Sequence, residues 1–468
     1  MNMPLYQFFR LGAACVASMV LLSIPLLAAA SVTHFRVTWT FSENRLTGVF
    51  ANGEPWVVGP VTLIAVTPNN DGTWDTSYPG EPGPNSGSMR VTVPNRFQGY
   101  CTMRRYRIGL PHEGTYYDSS LDLSRAENLP VTLTPGEMSM SAVGQAGADI
   151  SNINEICVLT VLAEAPADGS MRPSLFSTAP RVVRYNKSDI NYSILKNLAP
   201  VRATPSKESI ELLLPALPWF EYDNSWEQTQ YGPANNFAAS GGPMTYPNGS
   251  PVYGREIAFK WGQVALWLNT ANSQAVKEQA MIQAVQCGLD IASFVRHGGV
   301  FQSDGGHKVG RKFPMLLAGL ALNDSEILAM AADQASPRFA EDQSTFFVQQ
   351  SDVGRAVDGG VGAQYTEADV GLPDWGVKHF NQPIHDDRRW VGGVPYRHVT
   401  YPAMLGCVLA ADLMQQRETW NHPAIFAYNE RFKERLGLGE GLVRQMWERH
   451  KQSNDGMPSA PQGLKIKR

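Results

Sequence analysis

The sequence predicts an α+β multidomain protein, with an N-terminal antiparallel β-sandwich followed by a C-terminal α/α toroid, an incomplete barrel of helix pairs. Three observations carry this expectation. Strand-length apolar runs separated by turn clusters continue to about residue 193 with no helical period among them. After residue 254 the apolar spacing changes to that of helices. At 468 residues the chain is also too long for one ordinary core.

The first 30 residues carry Arg10 and then the apolar run LGAACVASMVLLSIPLLAAA, which ends on small residues at Ala28 and Ala30. This is the pattern of a secretory signal cleaved after Ala30, so a secreted or periplasmic location is expected; an uncleaved anchor is the alternative. No other segment is long and apolar enough to cross a bilayer, so no stable membrane insertion is expected after cleavage. Export permits disulfides, and Cys101 and Cys157, both in strand-like stretches, are the candidate pair. Cys287 and Cys407 fall in apolar helical patterns and read as buried thiols. None of the cysteines has zinc-site spacing, so no metal is expected.

Residues 31–193 form the β-sandwich domain. HFRVTWTF alternates, WVVGPVTLIAV is β-branched, and MRVTVP, YRIGL, LPVTL, EICVLTVLA and RVVRY follow at strand length. Asn52-Gly53 is a hairpin signal, and Trp56 just after it reads as a hairpin staple in preference to a sugar platform. PNNDGTWD, at 68–75, reads as a turn more readily than as a calcium site.

Residues 194–218 are punctuated by proline and serve as a connector. Residues 219–455 are the toroid domain, and 456–468 a flexible tail. The toroid domain opens with an aromatic, glycine-rich passage, 219–254, too aromatic for a linker; Trp226 and Tyr231 within it are assigned to saccharide binding. Helices follow in REIAFKWGQVALWLN, SQAVKEQAMIQAVQCGLDIASFVRHGG, FPMLLAGLALN, SEILAMAADQA, YPAMLGCVLAADLMQQ, PAIFAYNERFKERLG and GLVRQMWERH.

The chemistry concentrates in this half. With 39 Lys plus Arg against 43 Asp plus Glu, the chain has no basic surplus to suit a nucleic-acid partner. Seven of nine histidines lie beyond residue 290. In QSDGGHKVGRKFP, residues 302–314, His307, Lys308, Arg311 and Lys312 crowd before a helical run, where backbone N–H groups and the helix dipole favour an anion. His385 lies in IHDDRRW. Tyr396, Arg397, His398 and Tyr401 precede a helix expected over 402–415.

Two loops therefore deliver His and Arg to helix starts, and in a toroid such starts gather at one mouth. A cleft of that kind suits β-elimination at a uronate, which needs its carboxylate neutralised, a base at the adjacent carbon and an acid for the departing oxygen. Arg311, Arg397 and Asn236 are the candidates to neutralise, His307 is the base, and Tyr396 or Tyr401 is base or acid. The catalytic set is thus His307, Tyr396, Arg311 and Asn236; Asn235, Lys308, Arg397, His398, Tyr401, Trp226, Tyr231 and His385 bind substrate.

A hydrolase with two carboxylates is the competing enzyme reading, with Glu221, Asp223, Asp304, Glu367, Asp374, Asp386 and Asp387 as candidates. A non-catalytic saccharide-binding envelope protein is a third. GGHKVGRK lacks the Lys-Ser/Thr of a phosphate loop, and no GxSxG is present.

On the Asn235-Asn236 loop, on Asp304-Gly-Gly-His307 with Arg311, and on Tyr396-Arg397-His398, the chain resembles exported bacterial polysaccharide lyases of the α/α-toroid type. The resemblance implies an Asn/His/Tyr/Arg site that cleaves alginate-like or other uronate chains without a redox cofactor. The β domain precedes the toroid here, whereas many relatives place it after.

Overall fold

The computed structural model describes residues 27–35, 37–67, 86–91, 123, 126–144, 153–177, 180–214, 255–301, 303, 306, 308–354, 365–376, 397–436 and 441–451. The N-terminal part is rich in strands: β1 (Leu27–His34), β2 (Val37–Val49), β3 (Pro55–Val58), β4 (Val61–Thr67), β5 (Ser86–Val91), β6 (Val131–Leu133), β7 (Met138–Gly144) and β8 (Ile153–Leu162). They make one eight-stranded sheet in the order β5-β7-β8-β3-β2-β4-β6, with β1 also on β2.

Among the described residues the expected two-sheet sandwich is replaced by a single hydrogen-bonded sheet, and β2 is the reason. Its 13 residues pair with β1, β3 and β4, and the register shifts between Thr40 and Phe41 bend it. One face of the curl gathers Val37, Trp39 and Phe41 of β2, Val57 of β3, Val61 and Leu63 of β4, Leu133 of β6 and Cys157, Leu159 and Val161 of β8 into one cluster. The turn after β6 returns to β8, where Gly136 N–H donates to Val161 O at 2.8 Å, so the sheet curls toward a barrel.

Alternation explains which residues turn inward: Val37, Trp39 and Phe41 are buried while the residues between them are not. The hairpin expected at Asn52-Gly53 joins β2 to β3, with Gly53 at φ +87°. Trp56 is buried against Phe50 and Leu162, as a staple would be. β1 crosses the expected signal cleavage point; Ser31 to His34, beyond it, pair with Thr40 to Val37. RVVRY, expected as a strand, is irregular, and nearby chain makes only a bridge between Ser170 and Asn186. YRIGL, PNNDGTWD and Cys101 lie outside the described residues. The Cys157 thiol donates to His34 O at 3.3 Å.

The C-terminal part is mostly helical. Its α-helices among the described residues are α1 (Lys207–Leu213), α2 (Glu256–Leu268), α3 (Gln274–Arg296), α4 (Lys312–Leu322), α5 (Ser325–Ala332), α6 (Ala340–Ser344), α7 (Arg397–Leu413), α8 (Arg417–Trp420), α9 (Pro423–Leu436) and α10 (Leu442–His450), with a two-stranded ribbon of β9 (Thr345–Phe347) and β10 (Pro373–Trp375). Ser273 caps α3 and Asp324 caps α5 through their side-chain oxygens, and α3 ends before Gly298 at φ +87°.

Along α3 nearly every residue from Ala280 to Val295 is buried, which makes it a central helix. Glycines set its neighbours' distance. A Cβ on Gly288 would lie 2.1 Å from Pro314 O of α4, and one on Gly262 of α2 would lie 2.8 Å from the Cα of Gly406 of α7. None of the described helices is long and apolar enough to cross a membrane.

The largest apolar cluster does not stop at residue 193. It runs from Met138 and Val158 on the outer face of the sheet through Met171, Leu175 and Phe176 into the helices. The connector joins in: Leu198 N donates to Asn269 O and Ala271 N to Leu198 O, both at 2.7 Å. An ionic lock crosses the same seam, where Arg172 is bound by Asp290 of α3 and by Glu54 of the β2–β3 turn.

Candidate functional site

The segment from Lys308 to Lys312 leads into α4 from inside the helical part. Gly310, at φ +86°, presses on α2 so closely that a Cβ would meet Ala258 Cα at 2.5 Å; no other residue type fits both its backbone angle and its space. This tight entry draws the neighbouring cations into the interior. Lys308 is buried, Arg311 is 2 % exposed and Lys312 is fully enclosed. Arg311 Nη1 donates to Val309 O at 2.6 Å. Its charge also acts on the thiols of Cys287 in α3 and Cys407 in α7, so the guanidinium sits among three helices.

The helix start is occupied by the protein's own groups. Glu341 Oε1 accepts from Lys312 N at 3.0 Å, which sets its carboxyl group at the positive end of α4. Lys312 Nζ pairs with Asp342, donates to Trp420 O at 2.7 Å and stands 5.1 Å above the Trp420 ring. Asp342 also accepts from Trp420 Nε1 at 3.0 Å and Gln334 Nε2 at 2.9 Å.

Around this pair the protonation states diverge. Burial pushes the Glu341 carboxyl up to about 7, against the Lys312 N–H that favours its charged form. Burial would raise Asp342 too, but Lys312 and then His422 outweigh it and hold it below the usual carboxylate range. For Lys312 burial wins and lowers the ammonium's pKa despite Asp342.

His422 is held at both ring nitrogens: Nδ1 is 2.9 Å from Gln334 Oε1, and Nε2 is 3.0 Å from Thr345 O. Burial lowers its pKa, against the pull of Asp342. Because Gln334 gives its NH₂ to Asp342, its oxygen is the atom that faces the ring; a neutral ring protonated at Nδ1 donates to it and leaves Nε2 beside the Thr345 hydroxyl, 2.8 Å away.

Of the expected site residues, Lys308 and Arg311 belong to this buried cluster. Tyr401 is fully buried in α7, its hydroxyl donating to Asn429 O at 3.0 Å, and burial pushes its pKa far above the usual tyrosine range. Arg397 and His398 form the first turn of α7, which begins five residues earlier than the expected Pro402, the proline lying within the helix. His307, Tyr396, Asn235, Asn236, Trp226, Tyr231 and His385 lie outside the described residues.

Of the alternative carboxylates, Asp374 is buried and accepts from Tyr365 OH at 2.8 Å, while Glu367 accepts from Gln350 in a surface turn. The others lie outside the described residues. Among the described residues no group of three or more His, Cys, Asp or Glu could hold a metal.

Sequence reading missed Glu341, Asp342 and His422 as partners. Their only signal was an acidic pair, Glu341-Asp342, opening a polar run between Ala340 and Phe346, and a histidine that reads as an ordinary helix end. Comparison with protein-family models, curated proteins and solved structures finds no match to this chain.

Proposed function

We propose that the chain is an enzyme that cleaves an anionic, uronate-containing polysaccharide by β-elimination, on a helical part arranged as an α/α toroid. The observation that supports it best is the anchoring of Arg311 and Lys312. Gly310 against α2, Glu341 on the Lys312 amide and Asp342 on its ammonium fix the end of the 302–312 stretch to the helical core. A positioned proton acceptor requires a rigid support, and in this reading His307 draws it from that anchored end. The pairing of α2 with α7 and of α3 with α4 supports the toroid.

In this reading Asn236 and Arg397 contact the substrate carboxylate, and Arg311, buried, lowers the energy of developing negative charge through its field. His307 takes the proton from the carbon next to the carboxylate. That electron pair forms a carbon–carbon double bond as the glycosidic C–O bond breaks, and Tyr396 protonates the departing oxygen.

Incubation of the purified protein with a panel of uronate polymers tests this through the ultraviolet absorbance of the unsaturated product. That absorbance is expected, and its loss by about a hundredfold or more in both His307→Ala and Tyr396→Phe. New reducing ends without absorbance would replace the reading with hydrolysis. Polymer retention with no product would replace it with saccharide binding.

A further inference from the structure

A pocket of about 180 Å³ opens where the chain after β8 crosses α3 and the start of α5. That is many times the roughly 10–15 Å³ one water needs. Its wall carries Arg172, Arg181, Arg184 and Arg296 together with His297, and its one lining carboxylate is Asp324. The use each makes of its neighbours decides what the pocket can take.

Asp324 is committed. Its Oδ1 accepts from Glu326 N and Ile327 N as the cap of α5, and its Oδ2 accepts from Tyr185 OH at 2.5 Å. Arg172 is committed as well, to Asp290 and Glu54. Arg181 is not neutralised in this way. Its nitrogens donate to main-chain oxygens, Leu175 O at 3.1 and 2.6 Å and Gly136 O at 3.0 Å, so a buried guanidinium is positioned with N–H groups to spare and no carboxylate bound to it.

Burial, then repulsion from Arg172, bring the pKa of Arg181 down to about 10, against the weaker pull of Glu137 and Asp290. Arg184 is exposed and makes no hydrogen bond or ion pair among the described residues. Arg296 reaches Glu326 at the surface, and His297 spends Nδ1 on Ser293 O at 2.7 Å, which leaves Nε2. A buried cation with no carboxylate hydrogen-bonded to it is costly, and an anion beside it lowers that cost.

We propose that this pocket binds the oxyanion group of a small ligand, a sugar carboxylate or an inorganic-type phosphate or sulfate, held between Arg181 at its base and Arg184 at its mouth. Arg296 and His297 close the rim. The site lies on the seam between the sheet and the helices, and it does not depend on the elimination chemistry; polymer cleavage and anion binding here succeed or fail separately.

Calorimetric titration of the purified protein at low ionic strength, with inorganic phosphate in one arm and glucuronate in the other, tests it. Saturable binding of at least one probe is expected. The arm that responds identifies the oxyanion as phosphate-like or as a sugar carboxylate. Arg184→Ala should raise Kd about tenfold, the worth of one charge-assisted contact, and Arg184→Glu should abolish binding. Arg449→Ala, at an exposed arginine bound to Pro200 O, should change nothing. Added salt should weaken binding. No saturable binding of either probe, or binding that survives Arg184→Glu in a variant shown folded by circular dichroism, overturns the proposal.

Discussion

At Glu341 a carboxyl group with almost no exposure sits where its proton affects folding directly. Its folded pKa of about 7 lies above its ordinary 4.5, so between those values the folded protein holds a proton that the unfolded chain gives up. Stability from this group is full below pH 4.5 and is lost as pH rises toward 7. By linkage the loss amounts to about 3 kcal/mol at most. Glu341→Gln should flatten that decline, read from urea unfolding at pH 5 and pH 7.5; an undiminished slope would place the titration elsewhere. His422 acts in the opposite sense, since its lowered pKa gives stability that is present above its ordinary 6.5 and lost as pH falls.

Lys312 and Asp342 supply a second residue-scale prediction. Lys312→Met leaves a buried carboxylate without its cation, which costs about 3–5 kcal/mol. Lys312→Met with Asp342→Leu should cost clearly less than the sum of the single changes, and simple additivity in a double-mutant cycle would show that the pair is not coupled.

Elements were legible in the sequence where periodicity was strong and the residues local. Apart from α7, which starts five residues early, the helices from REIAFKWGQVALWLN to GLVRQMWERH stand close to where the 3.6-residue spacing put them, because their apolar pattern is written in their own residues. The single curled sheet was not legible, since whether β2, β3 and β4 share a sheet with β7 and β8 depends on β3 pairing with β8, more than a hundred residues further along the chain. The candidate site was legible as a run of cations before α4. Its partners were not, because Glu341 and Asp342 come from a separate short helix and His422 from beyond α8.

Helix crossing yields a prediction at the same scale. Since a Cβ on Gly288 would lie 2.1 Å from a backbone oxygen and 2.5 Å from Ala318 Cβ, α3 and α4 must separate to admit it. Gly288→Ala should therefore destabilise by about 1–3 kcal/mol even though alanine favours helices, with the unfolding midpoint as the readout. A rise in stability would mean that the two helices are free to slide.

On the scale of the whole molecule, the question is whether sheet and helices unfold together. Apolar packing from Met138 and Val158 into Leu175 and Phe176 crosses the seam without interruption, which favours one cooperative transition. Arg172 reinforces it: burial alone would lower the guanidinium's pKa, but Asp290 and then Glu54 outweigh burial and raise it, so the cation stays charged while bridging α3 to the β2–β3 turn. Removing it strands two carboxylates, one of them deeply buried.

Arg172→Met should cost about 3–5 kcal/mol and loosen the junction before either part melts. Hydrogen exchange checks this by position. Amides of Leu175 and Phe176, which donate to Asp290 and Ser293 of α3, should lose protection first, while those in the middle of α3 keep theirs. Equal loss of protection along the whole of α3 would instead mean that Arg172 supports the helical core itself, and that the seam is as stable as the parts it joins.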